Sequence, residues 1–138
     1  MRVFSNTEFR YIYVIGTPSG PYKIGIATSL DERLKGLQTG SHVEYSVHHA
    51  TKVPYRLAAR IERRVHKRLG DFRLFGEWFT VSIGSAKAEI AQVIDTIKAE
   101  DKAQKLAQAI AEQKRAEAEQ RYLAACRSEV ASYFVCLG

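Results

Sequence analysis

Between residues 55 and 69 six cations, Arg56, Arg60, Arg63, Arg64, Lys67 and Arg68, surround one acid, Glu62. Glu62 stands four residues after Ala58 and four before His66, so on a helix the three share a face. A carboxylate among so many cations is expected to stay ionised, because nearby positive charge lowers its pKa. Two tasks suit such an acid. It can help hold a hard divalent cation such as Mg²⁺, which takes few protein carboxylates together with water and phosphate oxygens. Alternatively, it forms an intrahelical salt bridge to Arg63 or to a residue one turn away. A second chemically able stretch comes earlier: YIYVIGTPSGPYKIG, residues 11–25, holds two aromatic hydroxyls on its first segment, Tyr11 and Tyr13, followed by Lys23 and Gly25.

The elements that must position these residues follow from periodicity. Residues 11–15 and 22–27 alternate as strands, and GTPSGP between them is a turn in which glycine and proline supply the special backbone angles. SLDERLKGLQ opens with a capping box, Ser29 and Glu32, and shows one apolar face of Leu30, Leu34 and Leu37, so a helix is expected over 30–38. Val43, Tyr45 and Val47 alternate and suggest a third strand over 43–53. Pro54 sits where a helix begins, and Leu57, Ile61, Val65 and Leu69 form the buried stripe of that second helix. GEWFTVSIG then reads as a further short strand or an extended cover, with Trp78 as a core aromatic.

The chain changes character near Gly84. From Ser85 to Leu137 neither glycine nor proline occurs and strong helix formers dominate. With Ser85 as N-cap, one long helix or two in tandem are expected. Ile90, Val93, Ile94 and Ile97 form a stripe suited to docking on the preceding domain, which thins to Leu106, Ile110 and alanines before apolar residues return at Leu123, Cys126, Val130, Tyr133 and Phe134. This extension is either a solvated arm or a seam through which copies of the chain pair.

Composition bounds the possibilities. A chain of 138 residues with 26% charged residues and no long apolar run is expected to be soluble and cytoplasmic, without a membrane partner. Its two cysteines, Cys126 and Cys136, have no metal-ligand spacing to the histidines and are expected to be reduced. Residues 1–84 carry 13 Lys and Arg against 7 Asp and Glu, whereas residues 85–138 carry 8 of each. The excess positive charge of the first part suits a polyanion, nucleic acid before membrane.

Taken in order, Tyr11-Ile12-Tyr13, Lys23-Ile24-Gly25, Arg33, Glu62 and Gly76-Glu77-Trp78-Phe79 resemble the GIY-YIG nuclease superfamily, in the branch often described as meiotically up-regulated and common in bacteria and phages. The resemblance covers roughly residues 10–84. It implies an α+β fold, a small three-stranded antiparallel sheet flanked by helices, over a nuclease domain of residues 1–84, with residues 85–138 as a helical extension. It also implies an endonuclease that hydrolyses DNA phosphodiester bonds with Mg²⁺ or Mn²⁺.

Carried over by position, Tyr13 would deprotonate or orient the attacking water, and Gly25 would let backbone and substrate approach closely. Arg33 would stabilise the scissile phosphate with its planar fork, Glu62 would bind the metal, and His42 would lie near the site. Tyr11 stands where the family has glycine and Lys23 where it has tyrosine. Lys23 is expected to favour the Tyr13 phenolate or to neutralise the phosphate itself, and Tyr11 either joins the site or packs as a strand aromatic. Tyr22, one step out of phase, reads as packing. Arg56, Arg60, Arg63, Arg64, His66 and Lys67 would grip the DNA backbone. The alternative is a catalytically inactive nucleic-acid-binding module that uses the same basic surface.

Overall fold

The computed structural model describes residues 8–137, with the side chains of residues 131–137 outside the description. Tyr133, Phe134 and Cys136 therefore lie outside the described side chains. The elements in order are β1 (Phe9–Gly16), β2 (Tyr22–Ala27), α1 (Leu30–Gln38), β3 (Ser46–Pro54), α2 (Tyr55–Arg68), a single 3₁₀ turn (Gly70–Phe72), β4 (Arg73–Phe75), β5 (Trp78–Phe79) and α3 (Ile83–Leu137). Among these residues the strands form one antiparallel sheet in the order β3-β1-β2-β5-β4.

The sheet thus has five strands, not the three expected. The two additional strands span three and two residues, too short to show an alternation, and Gly76 at φ +55° turns one into the other. The third strand also begins later than expected, at Ser46. Gln38, the last residue of α1, clamps the preceding loop instead: its Nε2 donates to Val43 O at 2.6 Å, and its Oε1 accepts from Tyr45 N at 2.8 Å.

Both faces of the sheet are covered. Ile12, Val14, Tyr22, Ile24 and Val53 face α2 and the start of α3 and form the larger core with Leu57, Ile61, Val65, Leu69 and Phe79. Tyr13, Ile15 and Ala27 point the other way, toward Leu30, Leu34 and Leu37 of α1. Strand alternation therefore splits the YIYVIG segment between two cores, and places Tyr13, Lys23 and Gly25 on the α1 side.

The chain divides into two compact units, residues 1–98 and 99–138. Ala86, Ile90, Val93, Ile94 and Ile97 of α3 are buried in the core of the first unit, which explains the apolar stripe at the start of that helix. The helix is capped by Ser82 rather than Ser85: Ser82 Oγ accepts from Ser85 N at 3.1 Å, and its carbonyl accepts from Ala86 N at 2.9 Å. In the second unit Leu106, Ile110, Tyr122 and Val130 are exposed, and Cys126 is a free thiol. No helix among the described residues is long and apolar enough to cross a membrane.

Candidate active site at the free edge of strand β2

Strand β5 pairs with β2 only at Tyr22 and Lys23, so among the described residues the outer edge of Ile24–Ala27 has no strand beside it. A buried backbone donor or acceptor without a partner costs about 1–3 kcal/mol. Side chains and a loop carbonyl meet that need. Ile24 N donates to Glu77 O at 3.0 Å, His66 Nε2 donates to Ile24 O at 2.7 Å, and Ile26 N donates to Glu62 Oε2 at 2.9 Å. The spacing matches: two residues along a strand advance about 6.6 Å, and four along a helix about 6 Å. Glu62 and His66, one turn apart on α2, therefore meet successive outward-facing groups of β2. The face shared by Ala58, Glu62 and His66 is what sews α2 to the sheet edge, and the His66 ring also packs on Phe79 with centroids 5.2 Å apart.

On the α1 side, Tyr13 lies directly opposite Gly25 in the β1–β2 ladder. Tyr13 is fully buried, and its Oη is a buried polar atom without a hydrogen-bond partner among the described residues. A Cβ added at Gly25 would come within 2.8 Å of Tyr13 Oη and 3.2 Å of Glu77 Oε2. The glycine is needed because those oxygens occupy the space a side chain would fill. Lys23 Nζ donates to Glu77 Oε2 at 2.8 Å, and the Arg33 guanidinium lies 5.8 Å from the centre of the Tyr13 ring. An open cleft of about 440 Å³, walled by Ala27, Ser29, Glu32 and Arg33, borders this group.

The electrostatics reverse two expectations. Burial pushes the Tyr13 phenol up to about 12, with the charges of Glu77 and Glu62 adding to the rise and Arg33 opposing it. Lys23 is committed to Glu77 and does not favour a phenolate, so at neutral pH Tyr13 is a neutral hydroxyl. Glu62 is likewise shifted upward, first by burial and then by Glu77, against the smaller effects of His66, the Ile26 N–H and Lys23. The arginines and lysine of α2 do not set its pKa: Arg56, Arg63 and Lys67 are exposed, whereas Glu62 points to the sheet edge.

Of the residues expected at a site, Tyr13, Lys23, Gly25, Arg33 and Glu62 are brought together, with His66 beneath them holding Ile24. Tyr11 lies further along β1, opposite Ala27, and lines a depression that adjoins the cleft and shares Thr28, Ser29 and Glu32 with it. His42 is exposed on the loop between α1 and β3 and takes no part in the contacts that define the group. Arg60 and Arg64 are half-buried on α2. The residue that sequence reasoning missed is Glu77, the second carboxylate, which contacts Lys23 and raises both Tyr13 and Glu62. Its only sequence signal was the GEWF cluster. Trp78, expected in the core, is half-buried at the rim, its ring 5.6 Å from that of Tyr45, and Phe79 takes the core place instead.

Comparison with curated proteins and with solved structures finds no match. A family model does match, the T5orf172 domain, over residues 10–98. This corrects the GIY-YIG assignment expected from the motif series, since no GIY-YIG family model matches. At the defining positions of that series Tyr11 stands in place of the leading glycine, and Lys23, in place of a tyrosine, pairs with Glu77. The match covers all but the first nine residues of the compact first unit, through the docked turns of α3, and the chain belongs to the T5orf172 domain family.

Proposed function

We propose that the first unit is a metal-dependent endonuclease that hydrolyses DNA phosphodiester bonds at the edge of β2. The observation that carries this reading is the buried, unpartnered Tyr13 hydroxyl, held in a space cleared by Gly25 between two carboxylates and two cations. A fold gains nothing by burying a hydroxyl without a partner or by setting Glu77 close enough to Glu62 to disfavour its charged form. Such groups fit a ligand that supplies what the protein lacks.

Mg²⁺ or Mn²⁺ fits this donor set. Glu62 spends one oxygen on Ile26 N and keeps the other, and Glu77 stands beside it. Among the described residues there is no group of three or more His, Cys, Asp and Glu that could form a cage of protein ligands alone. Mg²⁺ does not need one, because it keeps water and takes substrate phosphate oxygens. Once bound, the ion would offset charge on the phosphate and lower the pKa of nearby hydroxyls.

The remaining work falls to this chain's own side chains. Arg33, exposed on α1 above the Tyr13 ring, receives two oxygens of the scissile phosphate. Lys23 leaves its contact with Glu77 far enough to share a third. Tyr13, as a neutral phenol, accepts a hydrogen bond from the attacking water and fixes its line of approach, and the desolvated Glu62 is a better proton acceptor than an ordinary surface carboxylate. Lys67 and the arginines of α2 contact flanking phosphates, adding affinity without sequence preference.

Labelled single-stranded, duplex and branched DNA, incubated with the protein in Mg²⁺, Mn²⁺ or chelator beside Glu62→Ala, tests this reading. Cleavage is expected only with metal and only with Glu62. Cleavage that survives the chelator or the substitution refutes the mechanism. Binding without cleavage favours a DNA-binding module, a reading supported by the Lys23–Glu77 pair, which already occupies both groups.

A further inference from the structure

The β4–β5 hairpin does more than deliver Glu77. Register places Lys23 opposite Trp78 and Trp78 opposite Phe75, so the three side chains form one row across β2, β5 and β4 on the α1 side of the sheet. Neighbouring strands stand about 4.8 Å apart, and the row starts at the lysine beside the proposed reacting centre. Phe75 is 63% exposed, although it is a large apolar residue on an edge strand, where such exposure invites unwanted pairing. Tyr45 braces Trp78 with its ring 5.6 Å away, and Arg73 anchors the base of the hairpin with its guanidinium 5.4 Å from the Phe79 ring.

We infer that Trp78 and Phe75 are a stacking platform for unpaired nucleobases of a DNA strand whose phosphate lies at Lys23 and Arg33. This inference rests on the nuclease reading for the position of that phosphate. Three features on this row favour a base over an apolar protein partner. The exposed groups are aromatic rings rather than aliphatic chains, they lie in line with a cation, and the unit carrying them holds all the excess positive charge of the chain. A base paired within a duplex has its faces occupied by its neighbours and cannot use such a platform, so the site prefers single-stranded, frayed or flapped DNA.

Trp78 is the chain's one tryptophan, so its fluorescence reports on this row alone. The full chain, kept in chelator so that nothing is cut, is titrated with a short single-stranded DNA, the same strand carrying abasic sites, and a blunt duplex of the same sequence. Single-stranded DNA is expected to quench the emission; the abasic strand and the duplex are expected to bind without quenching. Phe75→Ala weakens single-strand binding about tenfold and leaves duplex binding unchanged, Phe75→Tyr restores it, and Phe75→Leu does not. Phe75 is exposed, so these variants leave the fold intact. Equal quenching by duplex and single strand, or wild-type affinity in Phe75→Leu, overturns the platform. If the protein cuts DNA yet shows either result, the platform fails and the nuclease reading stands; if it quenches as expected yet never cuts, the reverse holds.

Discussion

The candidate site is built from two halves of different character. One half is deep: Glu62 and His66 on α2 bond the backbone of β2, and Tyr13 and Gly25 face each other on the central strands. The other half is shallow: Glu77 rides on the turn between strands of three and two residues, and its side chain is 39% exposed. The deep half is fixed by packing that the fold cannot relax without leaving backbone groups unpaired. The shallow half is joined to it by the two-residue β2–β5 ladder that ends in the buried Phe79, one ion pair and the carbonyl of Glu77. Groups that must keep their geometry during a reaction belong on the first, and groups that must yield to an arriving polymer belong on the second.

The contrast can be broken most severely at Gly25. Gly25→Ala sets a methyl group against Tyr13 Oη and Glu77 Oε2 at once, so it should remove cleavage and cost about 1–3 kcal/mol of stability through overpacking, read by urea unfolding beside a cleavage assay. Next comes alkaline titration. Tyr13 has a folded pKa of about 12 against the ordinary 10.0, so its contribution is fully present below pH 10 and is lost as pH rises toward 12. The loss should reach about 2–3 kcal/mol, and Tyr13→Phe should flatten that part of the pH-stability profile.

A smaller effect is expected at the junction between the halves. Lys23→Ala frees Glu77, and cleavage should fall about tenfold, the size typical of one positioned charge, with little change in unfolding midpoint because the pair is partly exposed. An unaltered rate would exclude Lys23 from the phosphate. Smallest of all, Arg63→Ala on the exposed side of α2 should weaken DNA binding only a few-fold and lower its dependence on salt by about one counterion.

How much of this was legible in the residues depends on the length of the signal. Helix α1 runs over Leu30–Gln38 with Ser29 as its cap, because a capping box and three leucines leave one solution. The stripe Leu57, Ile61, Val65 and Leu69 is buried, and the same spacing already put Glu62 and His66 on one face. That face could not say where it pointed. Counting cations near Glu62 gave the wrong sign for its pKa, because they share its helix and not its direction, and desolvation at the β2 edge outweighs them. Val43 and Tyr45 mimicked a strand because alternation does not reveal a side-chain clamp such as Gln38. Glu77 was hidden for a related reason: a hairpin this short has no period, and its carboxylate meets Lys23 across a sequence separation of 54.

On the proposed reading Glu62 is kept at the β2 edge for chemistry, because as a desolvated anion beside Glu77 it does not favour the fold. Its upward shift means that the charged form is disfavoured there, so its contribution to stability is lost as pH rises through its folded pKa. Glu62→Gln preserves an oxygen for the Ile26 N–H and removes the charge. The deciding measurement pairs metal-dependent DNA cleavage with urea unfolding at neutral pH on wild-type protein and Glu62→Gln. Cleavage is expected to disappear while the unfolding midpoint stays equal or rises; cleavage that persists, or a variant that loses activity only because it unfolds more readily, rules out a catalytic role for Glu62.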